Sequence, residues 1–204
     1  MIGIVDYGLG NLTSVAGAVE KVGFEPIVTA EANVLESADK LILPGVGAFG
    51  DGMANLEERN LAGPLSDLVV GQGKPILGIC LGFQLIGQGS EEFGEHKGLG
   101  WIDARVERFA PDDPDLRVPH VGWNELYQVG DSILFDDVPD QSLFYYVHSY
   151  KMVSANTDLV IGECDYGGRF ISAVGKANIH ATQFHPEKSQ SHGLTLLRNF
   201  LEKG

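Results

Sequence analysis

Short apolar runs alternate with segments of helical periodicity along the first half of the chain, and few folds accommodate that pattern. The apolar runs cover residues 2–6, 24–28, 40–43 and 75–79, and helical segments are predicted at 12–22, between 52 and 70, and at 81–88. Strands that are apolar on both sides are typical of parallel sheets, because helices cover both faces of such a sheet. The first half therefore predicts a parallel sheet between two layers of helices.

The second half is richer in strand signals. Strands are predicted at 102–109, 143–147, 159–164, 169–174 and 179–184, with a loop at 111–120 and a final helix at 194–201. Strands that follow one another without intervening helices favour antiparallel pairing. We therefore expect one α/β domain over residues 1–204, with an open, mostly parallel sheet, helices on both faces and an antiparallel extension.

Charge and composition exclude several classes of protein. The chain carries 14 basic and 28 acidic side chains, and its formal charge of −14 repels nucleic acids and anionic membranes. Two cysteines are too few for a disulfide scaffold and are typical of a reducing compartment. No apolar run approaches the ~20 residues of a membrane helix, and the first residues do not resemble a signal peptide. We therefore expect a cytoplasmic protein.

The sharpest local pattern lies between a predicted strand and a predicted helix and reads Gly78-Ile79-Cys80-Leu81-Gly82. It matches the Gly-x-nucleophile-x-Gly elbow with cysteine in the serine position, where a tight turn leaves no room for side chains at the glycines. Free N–H groups at the start of the following helix favour a thiolate. The alternative is a buried structural cysteine between two packing glycines. Cys164 has no such setting and is predicted to be an incidental strand residue.

A cysteine nucleophile needs a base, and the base needs a group that orients it. Among six histidines, His185 ends an apolar run and so falls at the edge of the predicted sheet. Glu187 follows two residues later, after a turn at Pro186, where its carboxylate is able to meet the imidazole. By itself the pair is more typical of a surface loop. Beside the elbow, it indicates a Cys80–His185–Glu187 triad.

A third glycine-rich segment, Pro44–Gly50, matches the G-x-G-x-x-G spacing of dinucleotide-binding loops. That fingerprint belongs to the first strand–helix turn, whereas this segment follows the third predicted strand. The segment is instead predicted to form an oxyanion hole with exposed backbone N–H groups, and a plain turn is the alternative. The sequence has no H-x-x-x-H, H-E-x-x-H or C-x-x-C spacing, so we expect no metal and no cofactor.

Together these motifs resemble the triad-type (class I) glutamine amidotransferases, which have a strand–cysteine–helix elbow and a late His-Pro-Glu. Within that family the chain is most similar to glutaminase subunits that work with a cyclase in histidine biosynthesis, and the resemblance extends from Ile2 to Phe200. It rests on six segments, which are Asp6–Leu12, Leu43–Asp51, Gly78–Gln84, Pro119–Asn124, Tyr146–Tyr150 and Gln183–Ser189.

The resemblance implies a role for each matching residue. Cys80 would attack the carboxamide of glutamine, His185 would carry the proton, and Glu187 would orient His185. The other implied positions are the oxyanion hole at Gly45, Val46, Gly47 and Leu81, the glutamine site at Gln84, Glu92, Ser149 and Tyr150, and the partner interface at Asn11, Trp123, Tyr145 and Lys188.

The implied partner is a (β/α)₈-barrel cyclase subunit that forms a heterodimer with this chain and receives the ammonia. In the family, the second oxyanion donor can point away until the partner's substrate binds. One departure concerns Ile86–Gly89, which is glycine-rich where the family has bulkier residues. It leaves open the length of the helix after the elbow and the alignment of Glu92.

The sequence leaves two alternative functions open. One is a glutaminase subunit that serves anthranilate, aminodeoxychorismate or pyridoxal phosphate synthesis. A different class would be a catalytically silent stress protein with an oxidisable elbow cysteine. The intact His-Pro-Glu argues against the silent protein, because a redox sensor does not need an imidazole oriented by a carboxylate.

Overall fold

The computed structural model describes residues 1–113 and 115–204, and within these ranges the chain forms thirteen strands and six α-helices. The strands are β1 (Ile2–Val5), β2 (Pro26–Thr29), β3 (Lys40–Leu43), β4 (Ile76–Ile79), β5 (Gly89–Ser90), β6 (His96–Lys97), β7 (Arg105–Arg108), β8 (His120–Gln128), β9 (Ser142–His148), β10 (Tyr150–Val153), β11 (Val160–Asp165), β12 (Arg169–Lys176) and β13 (Ile179–Thr182). The helices are α1 (Leu12–Lys21), α2 (Ala32–Ser37), α3 (Phe49–Glu58), α4 (Ala62–Ser66), α5 (Leu81–Leu85) and α6 (Gln190–Lys203).

Five parallel strands form one half of the sheet, in the order β2-β1-β3-β4-β13. The sheet then continues through β12, β10 and β7, with antiparallel pairing at each step from β13. A branch from β12 through β11 leads to the β8–β9 hairpin. The predicted mostly parallel sheet with an antiparallel extension is confirmed.

Neighbouring residues of the central strands point to opposite helical layers, which explains why these strands are apolar throughout. In β3, Leu41 and Leu43 pack into a cluster with helices α2 to α4, whereas Ile42 packs into the cluster that holds α1 and α6. All three side chains are fully buried. Each strand therefore stabilises both layers, as the unbroken hydrophobic pattern predicts.

Several predicted boundaries need correction. The helix after Cys80 ends at Leu85 and not at 88, because Gln88 turns back to donate a backbone hydrogen bond to Ala104 and Gly89 joins the sheet beside β7. The strand predicted at 24–28 begins at Pro26, and the strand predicted at 102–109 is confined to β7. The strand β8 begins at His120, inside the predicted loop, and position 114 of that loop lies outside the described residues.

Helix α6 is longer than predicted, and α2 was not predicted at all. Helix α2 has six residues, of which Leu35 alone is buried, so it carries almost no periodic signal. Within the described part of the chain, no helix has the length and apolar character needed to cross a membrane.

Candidate active site

Cys80 lies in a strained turn between β4 and α5. Its backbone adopts φ +53° and ψ −100°, a conformation that side-chain-bearing residues rarely occupy and that is typical of functional sites. A Cβ at Gly82 would overlap the carbonyl of Leu43, and one at Gly78 would lie 2.9 Å from the carbonyl oxygen of Gly82. Both glycines are therefore needed for the turn, as the elbow pattern predicts.

His185 reaches the same edge of the sheet from the neighbouring strand. Strands β4 and β13 are parallel and pair Ile79 with Thr182, so the segments that follow the two strands leave the sheet at the same edge. His185 Nδ1 lies 2.7 Å from Glu187 Oε1, and both side chains are 2% exposed. The turn at Pro186 is a short 3₁₀ helix, which brings the carboxylate back over the imidazole. The structure thus brings together the three residues of the predicted triad.

The imidazole of His185 is held in a setting that favours its protonated form. Burial disfavours the charge, but the hydrogen-bonding and electrostatic effects of Cys80 and Glu187 outweigh it and raise the pKa of His185 to about 10. Nδ1 faces the carboxylate, which leaves Nε2 buried and without a well-aligned hydrogen-bond partner among the described residues. Nε2 is therefore the nitrogen available to exchange a proton beside the sulfur.

The thiol of Cys80 is almost buried and opens onto a cavity of about 480 Å³. Its sulfur lies 3.8 Å from the carbonyl oxygen of Val147 and 3.8 Å from Gln183 Nε2. The cavity is lined by all four residues predicted to hold glutamine, namely Gln84, Glu92, Ser149 and Tyr150. It has the concave form and few convergent polar groups that are typical of a small-molecule site.

Two of these lining residues are fixed by hydrogen bonds. Gln84 Nε2 donates to the carbonyl oxygen of Tyr150 at 3.3 Å and to Gln183 Oε1 at 3.1 Å. Glu92 Oε2 accepts from the backbone N–H of Phe49, the first residue of α3, at 2.8 Å. The short α5 therefore does not displace Glu92 from the cavity, and among the described residues Oε1 of Glu92 has no hydrogen-bond partner.

The predicted oxyanion segment lies beside the thiol but does not form a complete hole. The backbone N–H of Leu81 donates to the carbonyl oxygen of Gly45 at 3.3 Å, so one of the predicted donors is already occupied. Val46 and Gly47 line the cavity, and Gly47 has a positive φ of 122°. The hydroxyl of Tyr7 donates to the carbonyl oxygen of Pro44 at 2.8 Å and lies where a Gly45 side chain would be.

Three of the four predicted interface residues lie together at the mouth of the cavity. The ring of Trp123 contacts that of Tyr145 edge to face at 6.0 Å, and Lys188 Nζ lies 5.8 Å from the centre of the Tyr145 ring. Trp123 is 45% exposed. Asn11 caps the N-terminus of α1, where its side-chain oxygen accepts from the N–H of Ser14, and a Cβ at the neighbouring Gly10 would lie 3.4 Å from Gly45 of the oxyanion segment.

The structure also brings polar residues to the site that were not assigned a role from the sequence. Gln183 is fully buried, contacts both Gln84 and Cys80, and directly precedes Phe184 and His185 in the chain. A glutamine inside an otherwise apolar run is a signal that would have found it. His148 lines the cavity as well, and it pairs with a second buried histidine.

Comparison with known proteins gives a full-length match. Residues 3–203 match the protein family described as glutamine amidotransferase class-I. The imidazole glycerol phosphate synthase subunit HisH of Methanothermobacter thermautotrophicus is 48% identical over 204 residues, which cover 99% of this chain and 98% of that protein. The HisH subunit of Aquifex aeolicus is 45% identical over 201 residues, which cover 98% of this chain and 95% of that protein.

Solved structures give the same fold at much lower identity. A crystal structure described as glutamine amidotransferase superimposes with a TM-score of 0.76 at 19% identity, covering 98% of this chain and 97% of that one. PurLQS from Thermotoga maritima gives a TM-score of 0.76 at 19% identity, with 98% and 96% covered. These likenesses confirm the predicted fold class.

Proposed function

Because the chain belongs to the class-I glutamine amidotransferase family, we propose that it hydrolyses glutamine to glutamate and ammonia as the glutaminase subunit of an imidazole glycerol phosphate synthase, in histidine biosynthesis. Similarity to HisH subunits along the full length supports the assignment to this synthase. The observation that carries the chemistry is the buried His185–Glu187 pair, 2.7 Å apart, beside a strained cysteine at a sheet edge.

The geometry supports a two-step reaction. Cys80, as the thiolate, attacks the carboxamide carbon of glutamine and forms a tetrahedral intermediate. His185 Nε2 gives its proton to the amide nitrogen, the C–N bond breaks, and ammonia departs. The acyl group remains on the sulfur as a γ-glutamyl thioester. Water then loses a proton to His185 and attacks the thioester, which releases glutamate and regenerates the thiolate–imidazolium pair. Glu187 stabilises the imidazolium and fixes its tautomer through Nδ1.

Binding of glutamine fits the polar groups that face the cavity. Glutamine is a zwitterion, so its ammonium group requires an acceptor and its carboxylate requires donors. Glu92 supplies a carboxylate, and Ser149 and Tyr150 line the same cavity. Such a site requires no cluster of basic residues, in keeping with the acidic chain.

The occupied N–H of Leu81 supports control of the reaction by the partner. As long as this N–H donates to the carbonyl oxygen of Gly45, it cannot stabilise an oxyanion on the substrate. Rotation of the Gly45–Val46 peptide would release the Leu81 N–H and turn the Val46 N–H toward the cavity. We therefore expect a low rate for the isolated subunit and a higher rate when the partner has bound its own substrate.

The β8–β9 hairpin supplies the surface proposed for the partner. Trp123, Val121 and Leu143 are 45%, 54% and 49% exposed, and they surround Tyr145 near the cavity mouth. Exposed aromatic and aliphatic side chains of this kind are typical of protein interfaces. We propose that a (β/α)₈-barrel cyclase docks here and that ammonia passes directly into it. Residues 1–204 would act as one catalytic unit in the cytoplasm.

The test is glutamate release by the purified chain, alone and with the cyclase subunit of the same synthase, with and without that subunit's ribonucleotide substrate. Wild type should be slow alone and faster in the complete mixture, whereas Cys80→Ala should be inactive in both. Cys164→Ala is the matched control, because Cys164 is also buried but lies away from the cavity on β11. No hydrolysis in the complete mixture, or equal rates for wild type and Cys80→Ala, would contradict the proposal. Activation only by the synthase of another pathway would reassign the partner.

A further inference from the structure

Two histidines that take no part in the proposed chemistry face each other beside the cavity. His120 begins β8 and His148 ends β9, and the two are directly opposite in the hairpin register. They are 2% and 5% exposed, and His120 Nδ1 lies 3.0 Å from His148 Nε2. In a buried imidazole pair each ring nitrogen needs a hydrogen-bond partner, because an unpaired buried polar group costs free energy of folding.

The hydrogen bonds around this pair determine its protonation state. The carbonyl oxygen of Tyr150 only accepts, so His148 Nδ1, at 2.8 Å from it, carries a proton and donates. In a neutral ring His148 Nε2 then only accepts, which requires that His120 Nδ1 donates to it. His120 Nε2 is left as an acceptor for Asn124 Nδ2, at 3.5 Å. All the bonds are satisfied only if both rings carry their single proton on Nδ1.

The surroundings of the pair keep both rings neutral and fixed in orientation. Burial lowers the pKa of His120 to about 4 and that of His148 to about 3. His120 is stacked between the rings of Tyr146 and Tyr166, with centroid distances of 5.0 and 4.0 Å. Neither histidine is therefore free to rotate away from its partner.

The Tyr150 carbonyl, which accepts the hydrogen bond from His148, belongs to a residue that lines the substrate cavity. It also accepts from Gln84 Nε2, and Gln84 is linked through Gln183 to the sulfur of Cys80. At Ser149 the chain leaves the β8–β9 hairpin and enters the central sheet as β10, where Tyr150 pairs with Arg108 of β7 and the Ser149 carbonyl accepts from the N–H of Phe109. Strand β7 therefore fixes one side of this backbone, and the Tyr150 carbonyl is held by the side chains of His148 and Gln84. A hydrogen bond to the Tyr150 carbonyl is thus a direct restraint on the wall of the cavity.

We propose that His120 and His148 are positioning residues, which act in series to hold the Ser149–Tyr150 backbone in the orientation that binds glutamine. The inference rests on the proposed function, since it assumes that this backbone forms part of the glutamine site. Neither histidine touches the reacting atoms. Their loss should therefore weaken the binding of glutamine more than it slows the chemical steps.

The kinetic test uses the complete complex with the cyclase and its substrate, and measures KM and kcat for glutamine. His148→Leu should raise KM about 10-fold, as expected for the loss of one buried hydrogen bond, with kcat changed less than about threefold. His148→Asn places an amide N–H where Nδ1 was and should restore most of the lost affinity. His180→Leu is the matched control, because His180 is another buried histidine of low pKa, on β13 away from the cavity lining.

A second measurement observes the protonation of the two rings directly and does not depend on activity. Nitrogen-15 spectra of the histidine rings in the wild-type protein at neutral pH should show two rings protonated on Nδ1, assigned to His120 and His148 by comparison with conservative variants of each. A ring protonated on Nε2 at either position would overturn the inference. So would a His148→Leu variant with unchanged KM, an Asn variant no better than the Leu variant, or an equal effect of His180→Leu. A wild-type complex without any glutaminase activity would instead contradict the proposed function.

Discussion

Replacement of Glu187 by glutamine is expected to slow glutamine hydrolysis about 10- to 150-fold while leaving the shape of the site unchanged. Glu187 Oε1 lies 2.7 Å from His185 Nδ1, and both side chains are 2% exposed, so water screens the pair little. A hydrogen bond to a charged group contributes about 1.5–3 kcal/mol, and each ~1.4 kcal/mol corresponds to a factor of ten in rate. The same change should lower the pKa of His185, now raised to about 10 with the help of this carboxylate.

The assay is the steady-state release of glutamate by the complex with the cyclase and its substrate, measured across a range of pH. Glu58→Gln is the control, because Glu58 is an exposed carboxylate at the end of α3. It should keep the wild-type rate. A Glu187→Gln rate within about twofold of wild type would refute the view that this carboxylate stabilises the imidazolium. A loss as large as that of Cys80→Ala would show that Glu187 does more than orient the base.

Three further predictions concern stability and docking. Gly82→Ala should lower the free energy of unfolding by about 3 kcal/mol or more, because a Cβ there overlaps a backbone carbonyl. Gly17→Ala should raise it by about 0.5–1 kcal/mol, because Gly17 lies inside α1 and a Cβ there meets nothing within 4 Å; urea titration measures both. Burial lowers the pKa of His148 from about 6.5 in the unfolded chain to about 3, so the unfolded chain binds more protons below pH 6.5 and stability falls as the pH decreases from 6.5 toward 4. His148→Asn should reduce this slope by up to about 1.4 kcal/mol per pH unit in urea titrations at several pH values. Trp123→Ala should weaken cyclase binding about 30-fold by calorimetry, and Val70→Ala, which is also exposed, should not.

The layered part of the fold was predictable because a strand that is buried on both faces is apolar along its whole length. A strand such as Lys40–Leu43 is apolar at each position that faces either core, and β1 and β4 likewise contribute residues to both cores. The strand His120–Gln128 was missed for the opposite reason. Its exposed face carries Val121 and Trp123, and its buried end begins with a histidine, so polarity does not alternate along it as it does along ordinary surface strands.

The site was predictable where its geometry is local and unpredictable where it depends on strand order. The tight turn at Cys80 and the return of Glu187 onto His185 are both set within five residues of sequence. The contact between Gln183 and the sulfur, and the pair formed by His120 and His148, arise from the register of neighbouring strands. Nothing in the local sequence specifies that register, which follows from the packing of the whole sheet.

The position of β13 has a consequence for how activity appears during synthesis of the chain. This strand comes last in the sequence but lies in the interior of the sheet, between β4 and β12, and it delivers His185 to Cys80 across about a hundred residues of chain. A nascent chain that lacks it has an unfilled gap between two strand edges and a thiol without a base. Long-range pairings of this kind form late, since the entropy of closing so long a loop must be overcome first. Glutamine hydrolysis would therefore begin only when almost the whole chain has left the ribosome, and truncated products would release no ammonia.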